Sequence, residues 1–490
     1  MKLICYKKMQ ILWLSLMAYI YLFCCRLWFE NEYVSTIIKI PFLFVVLADI
    51  GILWNRRKEI LKIISYYVNK NRALFFGIFL FTLYDVITLF YAVNISYSIS
   101  KYRLFLRALF VAGSIWLCCY EDETDEIKKN IEYLIKSIGW ILVIFVITTV
   151  IRWSLGLSPY LNRVSLRLDY NVYSIYLIFT LIIYIFYYIK WEEKFSKIFK
   201  ILYIACGIAA CDLLLLTSSR RAFLLCPGIV AVSFLSYFIK KIKLWKSVSE
   251  KKEFWSLQRI KTLGVVFGVI VIVAVNLSWA VPLFDRYVSS ASEEKKNAHI
   301  DFLEQFMGDD ISTAGFTEEG LSKASLSDRY SANVEKGLSS RQVIWNVAVS
   351  AIQKFTLKEK LFGRGSGYGW SLYEDENNED VMEVLEVYYR MEKPKPQWMH
   401  PHNFFFTEFL EGGILKIICI IFLTAVLCVY LVQYIKKNME YGMMLLLLYA
   451  CLAVNVMLGS SYGLLGESLF WLATGLFVLM RSTEDFEKRK

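Results

Sequence analysis

A chain of 490 residues that is 57% hydrophobic and 17% aromatic has too few polar residues to cover a soluble fold of that length. Its net charge of +11 is concentrated in alternate loops between apolar runs, not on one face; this excludes a nucleic-acid-binding protein and makes the excess base a topology signal. The eleven cysteines fall in or beside apolar runs, so no disulfide framework is implied and they read as small hydrophobes.

Apolar runs long enough to cross a hydrocarbon core of about 30 Å recur about twelve times. They lie near 10–28, 35–54, 73–93, 103–120, 133–153, 171–189, 198–216, 221–239, 262–281, 411–434, 441–460 and 463–480. In lipid each must be helical, because its backbone groups have no water to bond. The expected fold is therefore an all-α polytopic membrane protein. The first run lacks a small-residue cleavage site and reads as a retained helix. Arg56, Arg57, Lys58, Lys62, Lys70 and Arg72 follow the second run, and a second basic stretch from Lys240 to Lys261 precedes the ninth. Loops this basic are retained in the cytoplasm, which places both termini there. Three divisions result: nine helices over 1–281, one large extracytoplasmic loop over 282–403 with short helices in it, and three helices over 404–490.

Connections as long as that loop are uncommon without a function. Within it Ile344, Ala348, Ile352 and Phe355 share a helical face, with Trp345 and Val349 beside them. Ser339 and Gln342 have capping-box spacing, so a helix is expected to begin near Arg341 and to rest on the membrane surface or cap the bundle. The acidic run from Glu374 to Asp380 reads as solvated loop. The alternating glycines Gly363, Gly365, Gly367 and Gly369 match neither a dinucleotide fingerprint nor a phosphate loop. They predict a tight turn, from which Arg364 projects as a candidate substrate contact.

Several basic residues break the topology rule. Arg152, Arg163 and Arg167 follow the fifth span, and Arg220 and Arg221 end the tight turn Thr217-Ser218-Ser219 before the eighth, on the side where arginine is disfavoured. A pairing of one of the two with Asp212 is the structural alternative to a role in binding. Arg220, Arg221, Arg341 and His402 all fall at predicted helix starts, where unpaired N–H groups favour anions. A cation there makes sense with an anion between the two, and arginine's planar fork suits a phosphate or diphosphate. Two of the three histidines lie in His400-Pro401-His402-Asn403. The helix start and the arginines favour a neutral imidazole at His402, which can act as a general base. No third histidine or cysteine accompanies the pair, so no metal or other cofactor is expected. Glu411, on the next helix, either orients the site or pairs with a buried arginine.

Three stretches together resemble the O-antigen ligase and polymerase superfamily of bacterial envelope enzymes. They are Leu216-Thr217-Ser218-Ser219-Arg220-Arg221-Ala222; Ser340-Arg341 with Trp345 and Leu361-Phe362-Gly363-Arg364-Gly365; and His402-Asn403 with Glu411-Gly412-Gly413-Ile414. Asp169-Tyr170-Asn171 is a weaker match. The likeness covers about 165–435, with the motifs in the family's order, and the long loop matches in position and approximate length. It implies a GT-C-like membrane fold with about 12 transmembrane helices and a metal-independent glycosyltransferase at the outer face of the cytoplasmic membrane. The implied donor is an oligosaccharide on undecaprenyl diphosphate. Arg220 and Arg341 would hold the diphosphate, His402 would take the acceptor's proton, and Arg221, Arg163, Arg167, Arg364, His400, Asn403 and Glu411 would line the substrate site. The favoured reading is a polymerase for capsule, exopolysaccharide or O-antigen, working with membrane lipid and with a flippase and chain-length regulator as possible partners. The alternatives are a ligase acting on lipid A core or protein, and a lipid-linked oligosaccharide flippase. A flippase should place its charges near mid-bilayer and carry an internal repeat; here no repeat is found and the arginines gather at one surface. A receptor with the loop as binding domain leaves the arginines at helix starts unexplained.

Overall fold

The structure, a computed structural model, describes residues 2–25, 32–55, 57–121, 124–154, 164, 170–217, 219–248, 339–375, 378–383, 400–459 and 462–484. Among these it is 88% helical and contains no strand. The first nine helices are α1 (Lys2–Cys25), α2 (Glu32–Asn55), α3 (Ile60–Lys70), α4 (Arg72–Leu89), α5 (Ile95–Cys119), α6 (Thr124–Ser154), α7 (Tyr170–Trp191), α8 (Lys197–Leu216) and α9 (Arg220–Val248). The loop contributes α10 (Ser339–Gln353), α11 (Leu357–Phe362), α12 (Tyr368–Glu374) and α13 (Glu379–Glu383), and the chain continues through α14 (Phe404–Lys437), α15 (Met439–Gly459) and α16 (Ser468–Glu484).

Eight helices among the described residues are long and apolar enough to cross a membrane, against the twelve expected. The expected runs near 10–28, 35–54 and 463–480 lie largely on α1, α2 and α16, outside those eight; the run at 262–281 falls outside the described residues. Four helices, α1, α5, α6 and α14, start seven to nine residues before the apolar runs expected there. α5 begins at Ile95, capped by Asn94, whose side chain accepts from the Tyr97 N–H at 3.0 Å. Its first turns carry Lys101 and Arg103, which lower the local hydropathy. α14 begins at Phe404 and takes Glu408 and Glu411 into the helix. α3 was not expected: what reads as a basic loop is a helix that buries Ile63 and Tyr67.

With no water to leave, helices in lipid associate through van der Waals packing and hydrogen bonds. The central element is α7, 78% buried across its span, with Tyr173 and Phe186 fully enclosed among α6, α9 and α15. Trp471 on α16 packs against Phe81 of α4 and Phe105 of α5, and its indole N–H is shared between the carbonyls of Leu464 and Leu465. At the bundle's opposite end, Asn71 donates to the Ser482 hydroxyl at 3.0 Å, and Arg481 donates to the Lys70 carbonyl and to the Asn71 side chain.

α14 is broken. Gly413 has φ 63° and ψ −163°, outside any helix, so nearby carbonyls of the preceding turn lose their intrahelical partners. The glycine turn supplies replacements. Arg364 and Gly365 donate their N–H groups to the carbonyls of Leu410 and Glu411 at 2.9 and 3.0 Å, and the Tyr84 hydroxyl donates to Gly412 at 2.9 Å. The approach needs glycine on both sides. A Cβ on Gly363 would overlap the Glu411 carbonyl, and one on Gly413 would overlap that of Leu361. Both residues also have positive φ, which only glycine adopts freely. Ser366 completes the dock, donating to Thr88 and accepting from Val93, while the Ser98 hydroxyl donates to its side chain at 2.8 Å. The structural reading of these glycines therefore holds, with a broken helix as its cause.

Gly413→Ala should lower stability by roughly 2–4 kcal/mol, from an unfavourable φ and a backbone overlap together. Thermal unfolding in detergent checks this, with Gly77→Ala as control, because a Cβ there meets Leu423 no closer than 3.3 Å.

Candidate functional site

The first turn of α14 is built for a fixed entry. Asn403 caps it, its side chain accepting from the Phe405 N–H at 2.9 Å, and Thr407 donates back to the Asn403 carbonyl at 3.1 Å. Asn403 is thereby committed to the helix start, which the substrate reading had not foreseen. Immediately before it His402 has φ 52°, the left-handed region that histidine tolerates better than most residues, and its ring centroid lies 3.7 Å from that of His400. His400 is buried, only 6% exposed, and lies parallel to Trp370 of α12 at 5.4 Å. Trp370 in turn contacts Tyr97 of α5 and Tyr462 of the α15–α16 connection. His402 stays half-buried. Of the two imidazoles it is the more exposed, with His400 beside it in an aromatic stack.

The helix expected from Ser339 onward is present. Ile344, Ala348 and Phe355 are buried as predicted, Val349 is exposed, and Trp345 packs on Phe406 of α14 at 6.1 Å. Of the two placements expected for it, this is the cap on the bundle. α10 thus brings the turn that holds Arg341 to the start of α14. A capping box forms one step later, where Thr356 and Glu359 satisfy each other's N–H groups at the head of α11. The backbone and hydroxyl of Thr356 hold the Glu359 carboxyl below its ordinary range. The cap is thus intact above the usual carboxylate pKa and is lost as pH falls through the depressed one.

Arg220 and Arg341 stand on the first turns of α9 and α10; their side chains lie outside the described residues, as do Arg163 and Arg167. Val164, between the latter two, donates to the Leu216 carbonyl at the end of α8. The turn before α9 is tied to α7: Ser219 donates to the Asn171 side chain at 3.0 Å, so two of the motifs read separately in the sequence meet. Arg221 is buried and holds the end of α15, donating to Asn455 at 2.5 Å and to the Leu458 carbonyl at 3.3 Å. Gly459 beside it leaves the room, since a Cβ there would overlap the guanidinium. Arg364 forms an ion pair with Glu359 at 2.8 Å, donates to the Tyr368 hydroxyl at 2.6 Å and lies over the Phe355 ring. Arg221 and Arg364 therefore both have structural partners in this state.

Glu411 departs from expectation most clearly: its partners are two buried lysines, not an arginine. Lys101 lies 3.0 Å from both Asp85 and Glu411, and Lys416 pairs with Asp85 and lies 2.6 Å from Glu408 and 3.6 Å from Glu411. All five side chains are buried. Tyr102 donates to Asp85 at 2.6 Å, Leu464 N–H to Glu408 at 2.5 Å and Gly367 N–H to Glu411 at 3.0 Å. The three carboxylates converge as metal ligands would, but the two ammonium groups stand among them and supply the positive charge. Sequence reasoning missed Asp85, Lys101, Glu408 and Lys416, all charges inside apolar helices. That placement was the available signal, because such charges are costly unless paired. It also corrects the expectation that charge gathers at one surface only. The cluster is closed and mutually paired, so it does not restore the transport reading.

Lys416→Met would leave three buried carboxylates facing one lysine and should cost about 3–5 kcal/mol, read as a fall in the unfolding midpoint in detergent. Arg364→Gln should change that midpoint little, because its pair with Glu359 faces solvent.

Arg221 holds the end of α15, and the Tyr462–Leu464 segment touches both Trp370 and Glu408. The apolar helices describe a membrane protein, with a histidine pair at the head of α14. No curated protein matches the chain. The profile of one family, described as O-Antigen ligase, matches residues 204–421, a segment that contains Arg220, Arg341 and His402. That segment is similar to the O-antigen ligase family, and the match supports glycan transfer of the O-antigen ligase or polymerase type in general.

Proposed function

We propose that this chain is a polysaccharide polymerase that transfers a glycan from undecaprenyl diphosphate to a hydroxyl of another lipid-linked repeat unit, at the outer face of the cytoplasmic membrane and without a metal. The observation that carries the reading is the family match spanning Arg220, Arg341 and His402, together with a half-buried His402 beside a buried His400.

His402 takes the proton of the acceptor hydroxyl as its oxygen attacks the anomeric carbon. The bond from that carbon to the diphosphate oxygen breaks, and its electron pair leaves with the diphosphate. Arg220 and Arg341 stabilise the charge that develops there. Fixed cations at a leaving group in a water-poor site are a large catalytic contribution. A positioned base adds about 10²–10⁴-fold. The strained backbone at His402 supports a functional role, since such conformations persist where the surroundings hold them for a purpose. Arg163, Arg167, Arg221 and Arg364 serve the donor's anionic part in this reading, the last two after exchanging their present partners.

Purified protein in proteoliposomes, given undecaprenyl-diphosphate-linked repeat unit and no added metal, should produce a ladder of longer lipid-linked glycans. His402→Ala should lose turnover by 10²-fold or more, and Arg341→Ala should weaken donor engagement. A wild-type protein that makes no ladder but transfers the glycan to lipid A core or to protein is a ligase, and one that only moves the lipid across the bilayer is a flippase.

A further inference from the structure

One cavity lies away from the histidines. It is a groove of about 720 Å³ along α5, with walls of Phe42, Leu89, Ile95, Ile99, Leu106 and Phe110. Two cations, Arg103 and Arg107, line it one helical turn apart, the first exposed and the second half-buried. Among the described residues neither guanidinium has a hydrogen bond, ion pair or ring contact. Lys101, buried on the same helix, by contrast has two carboxylate partners.

Unpaired arginine inside an apolar span is costly, and basic pockets between transmembrane helices take anionic lipid headgroups. α5 has 25 residues, about 37 Å of helix against a hydrocarbon core of about 30 Å. Arg103 is thus within reach of the interface at the N-terminal end, and Arg107 stands one turn deeper. Side chains at i and i+4 share a face, so one phosphate can accept from both forks. The groove is open, with Ile95 67% and Leu106 61% exposed on its rim. Neither His400 nor His402 lines it.

We propose that the α5 groove binds an anionic phospholipid, its phosphate held by Arg103 and Arg107 and its acyl chains lying along the apolar wall. The lipid is a resident of the fold, not a reactant. Its position also touches the rest of the bundle: Tyr102, in the same wall, donates to Asp85, and Ser98 donates to Ser366 of the glycine turn.

Native mass spectrometry of the full chain in mild detergent tests this, with phosphatidylglycerol and phosphatidylcholine of matched acyl chains as probes. Wild type should retain one phosphatidylglycerol with at least about tenfold preference, as two cations near one phosphate provide. Arg103→Gln with Arg107→Gln should abolish the preference, and Arg103→Lys with Arg107→Lys should keep most of it. Arg57→Gln, which removes the cation resting over Trp54 outside the groove, should leave it intact. Ile99→Trp, which fills the groove without changing charge, should exclude the lipid and decides the matter should the double glutamine variant fail to fold. Wild-type retention in Ile99→Trp, an unchanged preference in the double glutamine variant, or equal loss in Arg57→Gln overturns the proposal. So does displacement of phosphatidylglycerol by an equal concentration of polyprenyl phosphate, which would make a carrier lipid the occupant.

Discussion

A broken helix leaves carbonyls without their intrahelical partners, and the break in α14 at Gly413 is the constraint around which its surroundings are built. Everything near it answers that need. The turn from Gly363 to Gly367 fills the gap with its own N–H groups, and can do so only where missing Cβ atoms let two backbones meet. Filling the gap fixes the loop helices α10 to α12 against the bundle. That in turn presents Trp370 to His400 and sets the histidine pair at the head of α14.

The buried charges belong to the same design. Glu411 lies one residue before the break and accepts from Gly367 of the turn that repairs it, while its other oxygen meets Lys101 of α5. Lys416 lies just after the break and joins Asp85 of α4 to Glu408. Three carboxylates against two ammonium groups leave one formal negative charge, which the Tyr102 hydroxyl and the Leu464 and Gly367 N–H groups offset. Buried ion pairs gain little over apolar packing, yet lose much when one member moves away. A slip of α4, α5 or α14 by one turn would strand a charge, so the cluster holds the three helices in one register beneath the site.

The architecture was legible in the sequence because hydrophobicity over about 20 residues is a local property. So was the face of α10, since Ile344 and Ala348 obey a helical period. Helix starts were misplaced where charge entered a span. Lys101 hid the first two turns of α5, because its neutralising partners come from other helices. Hydropathy also passed over α3, whose apolar residues cover only one face. The candidate arginines and histidines could be named from residue type and position, but their partners could not. Arg221 holding Asn455 and Glu411 holding Lys101 are contacts across more than 200 residues of chain, invisible to any local pattern.

If the buried charges and the glycine turn position the site as one unit, disrupting either end of the Lys101–Glu411 pair should have the same consequence as disrupting both. The direct measurement is a double-mutant cycle of Lys101→Met and Glu411→Gln, read as glycan transfer by full-length protein in proteoliposomes. The account predicts that each single variant loses most of the transfer and that the double variant loses little more, a coupling well above the few tenths of a kcal/mol expected of independent sites. Single variants with near-normal transfer, or two losses that multiply independently, would contradict it.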